Sequence, residues 1–292
     1  MADYILGIDG GGTGCRAAIA DTSGKVLGTG QAGPANIMTD MDTSVVNILA
    51  ATDAALLAAE LPVHAYSRIT ACLGLAGANV SGVAAQLQQA LPFAQSSVVS
   101  DGIIALQGAI GDADGVVVIL GTGSVYISRS NNTVTMKGGW GFKVSDLGGG
   151  ARLGQKLIEE SLLAYDGIYQ RSPLSNALLA HFNDEPHAIV RFAHDARPND
   201  FGQFAPLVFE YAAKNDPLAD KILKQSVETI EAALDASMRD DQPVLSLIGG
   251  LGALYGPRLS ARYQPRLRVP QADALAGAVA LAVKLHAQTA QS

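Results

Sequence analysis

The sequence predicts an α/β protein built from a duplicated lobe, and three observations predict it. Short apolar runs with strand character alternate with longer Ala/Leu-rich stretches of helical spacing. A unit of strand, glycine turn, strand, polar turn, strand occupies residues 5–31 and recurs, about 110 residues later, from residue 116. The chain beyond the second copy is mainly helical.

In chain order, Tyr4–Asp9 is a short apolar run, a buried strand. Ala17–Asp21 and Val26–Gln31 flank Asp21-Thr22-Ser23-Gly24-Lys25, which has hairpin chemistry. Thr43–Glu60 reads as a helix closed by Pro62, and Arg68–Leu75 as a strand. Val80–Leu91 reads as a helix, Ser97–Ser100 as a strand and Gly102–Ile110 as a helix. The second copy runs Val116–Leu120, Val125–Arg129 and Thr133–Met136. Helices are expected over Arg152–Tyr165, Leu174–Phe182, His187–His194, Phe204–Lys214 and Pro217–Arg239, the last starting on Asp216-Pro217. Val244–Ile248 is a late strand and Ala272–Ala287 an amphipathic helix. The expected division is an N-terminal lobe, 1–112, joined by the terminal helix 272–288, and a C-terminal lobe, 113–271, carrying a helical insert. No low-complexity linker lies between them, so a packed hinge is expected, with the two glycine turns facing across a cleft.

Composition excludes several function classes. The chain has 292 residues, 48% hydrophobic and 16% charged, enough for a large core divided between two lobes. It shows neither an apolar run of about 18 residues nor a basic-then-apolar leader, so no membrane partner is expected. Cys15 and Cys72 fit a reducing cytoplasm and exclude a disulfide framework or a multi-cysteine zinc site. A net charge of −7 without basic clusters argues against nucleic acid. An anionic ligand would have to be held locally, by main-chain amides.

The stretch Asp9-Gly10-Gly11-Gly12-Thr13-Gly14 has more glycines than a tight turn needs. It contains neither the P-loop pattern nor G-x-G-x-x-G. What remains is a strand–turn–strand element whose successive amides form an anion-binding concavity, echoed by Leu120-Gly121-Thr122-Gly123-Ser124. Thr13, Thr122 and Ser124 add hydroxyl donors, and Asp9 can hold a hydrated Mg2+ ion beside phosphates. One such turn alone would more often be structural; two at equivalent places in a repeat favour phosphate binding. Asp101, where a strand gives way to a helix, is on spacing alone equally a proton acceptor or an N-cap. Trp140, the only tryptophan, either walls a pocket or fills core, and core filling is the commoner fate. His187 and His194 share a helical face with no ligand set around them and read as solvated.

Six segments, in order, resemble the sugar kinase, heat-shock-70 and actin ATPase superfamily. Within it the chain is similar to the BadF/BadG-type ATPases that include glucosamine and N-acetylglucosamine kinases. GIDGGGTGCRAAIAD (7–21) resembles the first phosphate motif and GVVVILGTGS (115–124) the second. VVSDGIIAL (98–106) resembles the segment with the catalytic aspartate, and GGWGFKVSDLGGGARLG (138–154) the sugar-binding and hinge segment. LIGGLG (247–252) resembles the adenosine motif, and PQADALAGAVALA (270–282) the terminal helix of small bacterial members. The family often has Gly-Asp-Glu-Gly-Ser where this chain has Ser145-Asp146-Leu147-Gly148-Gly149, so one acidic residue is missing.

The resemblance implies duplicated ribonuclease H-like, actin-like ATPase lobes and ATP with Mg2+ as cofactors. It makes Asp101 the catalytic base and Asp9 the metal ligand. Gly11, Gly12, Thr13, Gly121, Thr122, Gly123, Ser124, Gly249 and Gly250 would hold the nucleotide, and Asn36, Asp101, Gly141 and Asp146 the sugar. The implied partner is a small-molecule amino sugar, with a homodimer left open. The expected reaction is phosphorylation of glucosamine at its 6-hydroxyl, with N-acetylglucosamine kinase and partner-activating ATPase as alternatives.

Overall fold

The computed structural model describes residues 3–63, 65–79, 82–239 and 243–290, which divide into two compact units. One unit comprises Met1–Ala113 with Val269–Ser292; the other is Asp114–Arg268.

The first unit runs β1 (Tyr4–Gly10), β2 (Cys15–Ala20), β3 (Val26–Ala32), α1 (Met41–Ala58), β4 (Ile69–Leu75), α2 (Val83–Ala90), β5 (Gln95–Ser100) and α3 (Asp101–Ile110). Its five-stranded sheet has the order β3-β2-β1-β4-β5. The first three strands form an antiparallel meander, while β4 and β5 run parallel to β1. Side chains alternate across the sheet. Leu6, Ile8, Leu73 and Leu75 pack with Ile48, Leu56 and Leu87 on the face covered by α1 and α2, while Ile5 and Cys72 pack with Ile104 and Val279 on the other.

In the second unit come β6 (Gly115–Leu120), β7 (Ser124–Ser130), β8 (Thr133–Gly138), α4 (Gly150–Tyr165), α5 (Pro173–His181) and α6 (Pro186–Asp195). They are followed by α7 (Pro198–Gly202), α8 (Ala205–Ala212), α9 (Pro217–Ser237), β9 (Val244–Ile248) and α10 (Gly252–Tyr255). The sheet order is β8-β7-β6-β9, again an antiparallel meander with a parallel neighbour beside its first strand. One core cluster joins Val116, Val118 and Leu120 to Leu157, Phe201, Ile230 and Tyr255. The chain then returns to the first unit with α11 (Ala274–Ala290).

Several differences from the expected elements have local causes. The expected Phe204–Lys214 helix is present as α8, Ala205–Ala212, and a short helix that was not expected, α7, precedes it; each has proline in its first turn, where its fixed φ and missing N–H suit a helix start. The helix expected from Val80 begins at Val83 on left-handed Gly82; Val80 lies outside the described residues. α3 takes in Asp101 as its first helical residue, so the cap position falls on Ser100 and the N-cap alternative for Asp101 is not adopted. Trp140 is 78% exposed, which overturns the core-filling reading. His187 and His194 are exposed, as a solvated face requires.

α1 is 18 residues long with a mean hydropathy of 1.2, yet it is seated on the sheet. Added Cβ atoms at Gly28 and Gly30 would strike its backbone at Ala55 and Ala51. α11 is seated in the same way. Gly277 packs against the Ile104 carbonyl and Gly108 against the Asp273 carbonyl, with no room for a methyl group at either. Gly277→Ala should therefore destabilise the chain by about 1–3 kcal/mol through overpacking, despite the ~1 kcal/mol that alanine gains over glycine within a helix. A thermal melt checks this, and an unchanged or higher Tm would refute the close seating of α11.

Candidate functional site

In the first unit the site is built at the carboxyl edge of the parallel strands, where ligands of open α/β sheets bind. Asp9 lies opposite Gly74 on β4, and Gly74 opposite Val99 on β5. With strands ~4.8 Å apart, the ends of β1 and β5 stand about 10 Å from each other. Asp101 follows two residues after Val99. Asn36 sits in the loop after β3, which is stitched to the same edge. The Ala35 amide donates to the Gly11 carbonyl (2.9 Å), Ile37 to Ala76 (3.2 Å) and Ala76 to Gly10 (2.9 Å). The structure thus brings Asp9, Asn36 and Asp101 to one edge.

The β1–β2 turn is residues 11–14, closed by the Gly11 amide on the Gly14 carbonyl at 2.9 Å. Among the described residues the Gly12 and Thr13 amides have no acceptor. Neither Gly11 nor Gly12 has a positive φ, and a Cβ on either would meet nothing within 4 Å. These glycines serve neither backbone strain nor internal packing. They leave open space over two free amides, the condition an approaching anion needs. Asp9, Gly11, Thr13, Gly14 and Arg16 line a cavity of about 370 Å3 there.

Asp9 is half-buried and accepts a 2.5 Å bond from Arg16, its cross-strand neighbour, while Oδ1 has no partner among the described residues. No group of three or more His, Cys, Asp or Glu side chains forms a metal cage among the described residues. A single carboxylate beside free amides fits Mg2+, which takes one or two carboxylates together with substrate phosphates and water. Asp101 is open to solvent, and its Oδ1 accepts from the Gly102 amide at 2.9 Å. The packed protein behind it, and secondarily the Asp9 charge, push its carboxyl above the ordinary aspartate value, against the Gly102 bond. A raised pKa makes it a stronger proton acceptor once ionised.

The second unit repeats the turn with different support. Residues 121–123 join β6 to β7, closed by the Gly121 amide on the Gly123 carbonyl at 3.0 Å. Their carbonyls point back: Gly121 accepts from Gly150 (2.8 Å) and Thr122 from Ala151 (2.9 Å), the first amides of α4. The positive end of a 16-residue helix thus stands behind the turn. The Thr122 and Gly123 amides have no acceptor among the described residues, and Gly121 faces open space at a normal φ. Gly249 and Gly250 end the adjacent strand β9. Gly249 is left-handed (φ +85°), and a Cβ on it would lie 2.5 Å from the Leu120 carbonyl oxygen; Gly250 faces open space.

Two expected ligands of this unit are engaged internally. Ser124 is buried and its hydroxyl donates to the Leu147 carbonyl at 2.7 Å, so its proton braces the turn. Asp146 is buried in a left-handed conformation (φ +62°). Its carboxylate accepts from the Gly141 amide at 3.2 Å and from that of Ser124. Burial raises its pKa, and these bonds with the Arg152 charge oppose the rise. These bonds brace the loop on which the resemblance implied a sugar contact. Gly141 is exposed and left-handed (φ +95°) beside Trp140. Sequence reasoning missed Arg16 and also Asn199, whose Oδ1 accepts from the Thr122 hydroxyl at 2.7 Å.

Comparison with known proteins decides the family. The chain matches the BadF/BadG/BcrA/BcrD ATPase family over residues 6–254. It belongs to that family. A glucosamine kinase, GspK, of Vibrio cholerae is 36% identical over 283 residues, 97% of this chain and 96% of the relative. An N-acetylmuramic acid/N-acetylglucosamine kinase of Clostridium acetobutylicum is 26% identical over 85% of each chain. Among solved structures, one from Chromobacterium violaceum, provisionally named an N-acetylglucosamine kinase, is 33% identical. It covers 97% of this chain and 99% of its own, with a TM-score of 0.85.

ATP use is implied by membership of the BadF/BadG/BcrA/BcrD ATPases, and the two turns are the expected phosphate sites. Gly12→Val should leave the fold intact, since the position is open and its φ ordinary. It should weaken ATP binding about 10- to 100-fold, the range for lost hydrogen bonds to a charged group. Calorimetric titration with ATP, with the fold checked by circular dichroism, measures this; unchanged affinity would remove the turn from the site.

Proposed function

We propose that this protein is an ATP-dependent hexosamine kinase that transfers the γ-phosphoryl group to the 6-hydroxyl of glucosamine. The observation that carries the reading is the near-full-length 36% identity to a glucosamine kinase. The site supports it: a solvent-open carboxylate of raised pKa stands on the sheet edge that carries the first glycine turn.

Phosphoryl transfer depends on positioning and charge neutralisation more than on covalent chemistry by the protein. Each turn by itself is a cradle of free amides: Gly12 and Thr13 in one unit, Thr122 and Gly123 in the other. Arg16 adds a guanidinium beside the first cradle, and Asp9 is the carboxylate that would hold Mg2+. Bound there, Mg2+ supplies charge neutralisation on the phosphate oxygens. Asp101 accepts the proton of the 6-hydroxyl as its oxygen bonds to the γ-phosphorus and the bond to the ADP oxygen breaks. Asn36 offers an amide to sugar hydroxyls, with its Oδ1 already accepting from Met38 at 3.1 Å.

Glucosamine is a cation near neutrality, so the −7 chain attracts it. N-acetylglucosamine is the second reading, favoured by the names of the Clostridium and Chromobacterium proteins. Against partner activation through a cysteine-held cluster stands the burial of Cys15 and Cys72, whose thiols burial pushes up to about 12.

Asp101→Asn should retain fold and nucleotide binding and lose about 10²–10⁴-fold in kcat. Because the base works ionised, wild-type activity should rise with pH through an Asp101 pKa above the usual aspartate value. Replacing Asp9 by Asn removes the charge that helps raise that pKa, so in the metal-free chain Asp101 should titrate at lower pH. A near-normal rate in Asp101→Asn would place the base elsewhere. A coupled ADP-release assay over glucosamine, N-acetylglucosamine, glucose and N-acetylmuramic acid tests the substrate. The highest kcat/KM is expected for glucosamine; a higher value for N-acetylglucosamine would change the sugar, and silence on all four would end the kinase reading.

A further inference from the structure

Arg16 does not touch Asp9 alone. Its Nη2 donates to Asp9 at 2.5 Å and its Nη1 to Asp273 at 2.9 Å, a residue 257 positions away in sequence. Asp273 is fixed from three sides. Its Oδ1 accepts from the Ala276 amide at 3.0 Å, capping α11. The preceding residues are tied to α3, with Ala272 donating to Gly108 at 2.9 Å and Gln271 to Ala109 at 3.0 Å. Its own carbonyl fills the notch left by Gly108. Only Oδ2 is turned to Arg16, so the guanidinium is shared between a held carboxylate and the carboxylate at the mouth of the phosphate turn.

We propose that Asp273 is a positioning residue for the nucleotide site: as the alternative partner of Arg16, it lowers the cost of freeing Asp9 for Mg·nucleotide. This rests on the phosphate-site reading above. Without the Asp273 charge, Asp9 is the only carboxylate paired with Arg16. Mg2+ must then displace a guanidinium that has no second carboxylate partner. With Asp273 present, Arg16 leaves Asp9 while keeping its 2.9 Å bond to α11 and stays beside the phosphates. An effect of opposite sign, the loss of one negative charge near the phosphates, acts without Arg16 and is weakened by salt.

The test is calorimetric binding of a non-hydrolysable ATP analogue to the full chain at a series of Mg2+ concentrations. Wild type, Asp273→Asn, Arg16→Gln and the double variant are compared. Asparagine keeps the helix cap, so Tm should hold. The Mg2+ concentration for half-maximal nucleotide binding should rise about two- to five-fold in Asp273→Asn, the range for a solvent-exposed pair. In the Arg16→Gln background the same substitution should not raise the midpoint: it should lower it slightly at low salt and leave it unchanged at high salt. Asp273→Ala should lower Tm through the lost cap and show the same Mg2+ shift. A wild-type Mg2+ midpoint in Asp273→Asn would overturn the proposal, as would an undiminished shift in the Arg16→Gln background. Failure of the wild-type chain to bind nucleotide at any Mg2+ concentration would instead overturn the phosphate-site reading and this proposal with it.

Discussion

The direction of a few main-chain carbonyls decides what this molecule can bind. A glycine turn presents amides to an anion only if its carbonyl oxygens are held elsewhere. In the first unit Gly10 and Gly11 are held by the Ala76 and Ala35 amides; in the second, Leu120, Gly121 and Thr122 are held by Leu251, Gly150 and Ala151. Each tie comes from the element that follows a neighbouring strand or opens a helix. The sheets, the order of their strands and the helix behind the second turn are what place those donors.

Electrostatics obey the same local logic. The chain carries a net charge of −7, which on its own would repel a nucleotide. Four free amides, the positive end of α4 and the Arg16 guanidinium oppose that field over short distances. Burial is used selectively as well. It lifts the pKa of Asp101, favouring proton acceptance, and places the thiol of Cys15, the first residue of β2, near 12, where it stays protonated and inert.

The repeat, both glycine turns and most elements were legible in the sequence because apolar periodicity and glycine clusters are local signals. The amides of Gly12, Thr13, Thr122 and Gly123 and the carboxylate of Asp9 could be named as candidates for the same reason, since each lies within a few adjacent residues of its turn. Arg16 was hidden although its signal was present: the turn length sets Gly10 opposite Cys15 and hence Asp9 opposite Arg16. Asn199 and Asp273 had no sequence signal, being 77 and 257 residues from their partners. Trp140 misled because base composition favours burial, whereas flanking left-handed glycines turn it outward. The bonds that Ser124 makes to the Leu147 carbonyl, and that Asp146 accepts from the Gly141 and Ser124 amides, had no sequence signal because they join separate loops.

Duplication of a layout has not meant duplication of chemistry. Both sheets place a parallel strand beside the first strand of an antiparallel meander, and both open a glycine turn at the same point. The first sheet adds β5, and the step from that strand into α3 supplies Asp101; its turn carries the ion pair of Asp9 and Arg16. The second sheet ends at β9 among the described residues, and its turn is backed by a helix N-terminus and carries no carboxylate at the position of Asp9, where Ile119 stands. Taken separately, a turn with an ion pair suits a group whose charge changes, whereas a turn backed by a helix N-terminus suits an anion that only needs to be held. That asymmetry, rather than the repeat itself, is what the kinase reading draws from this fold.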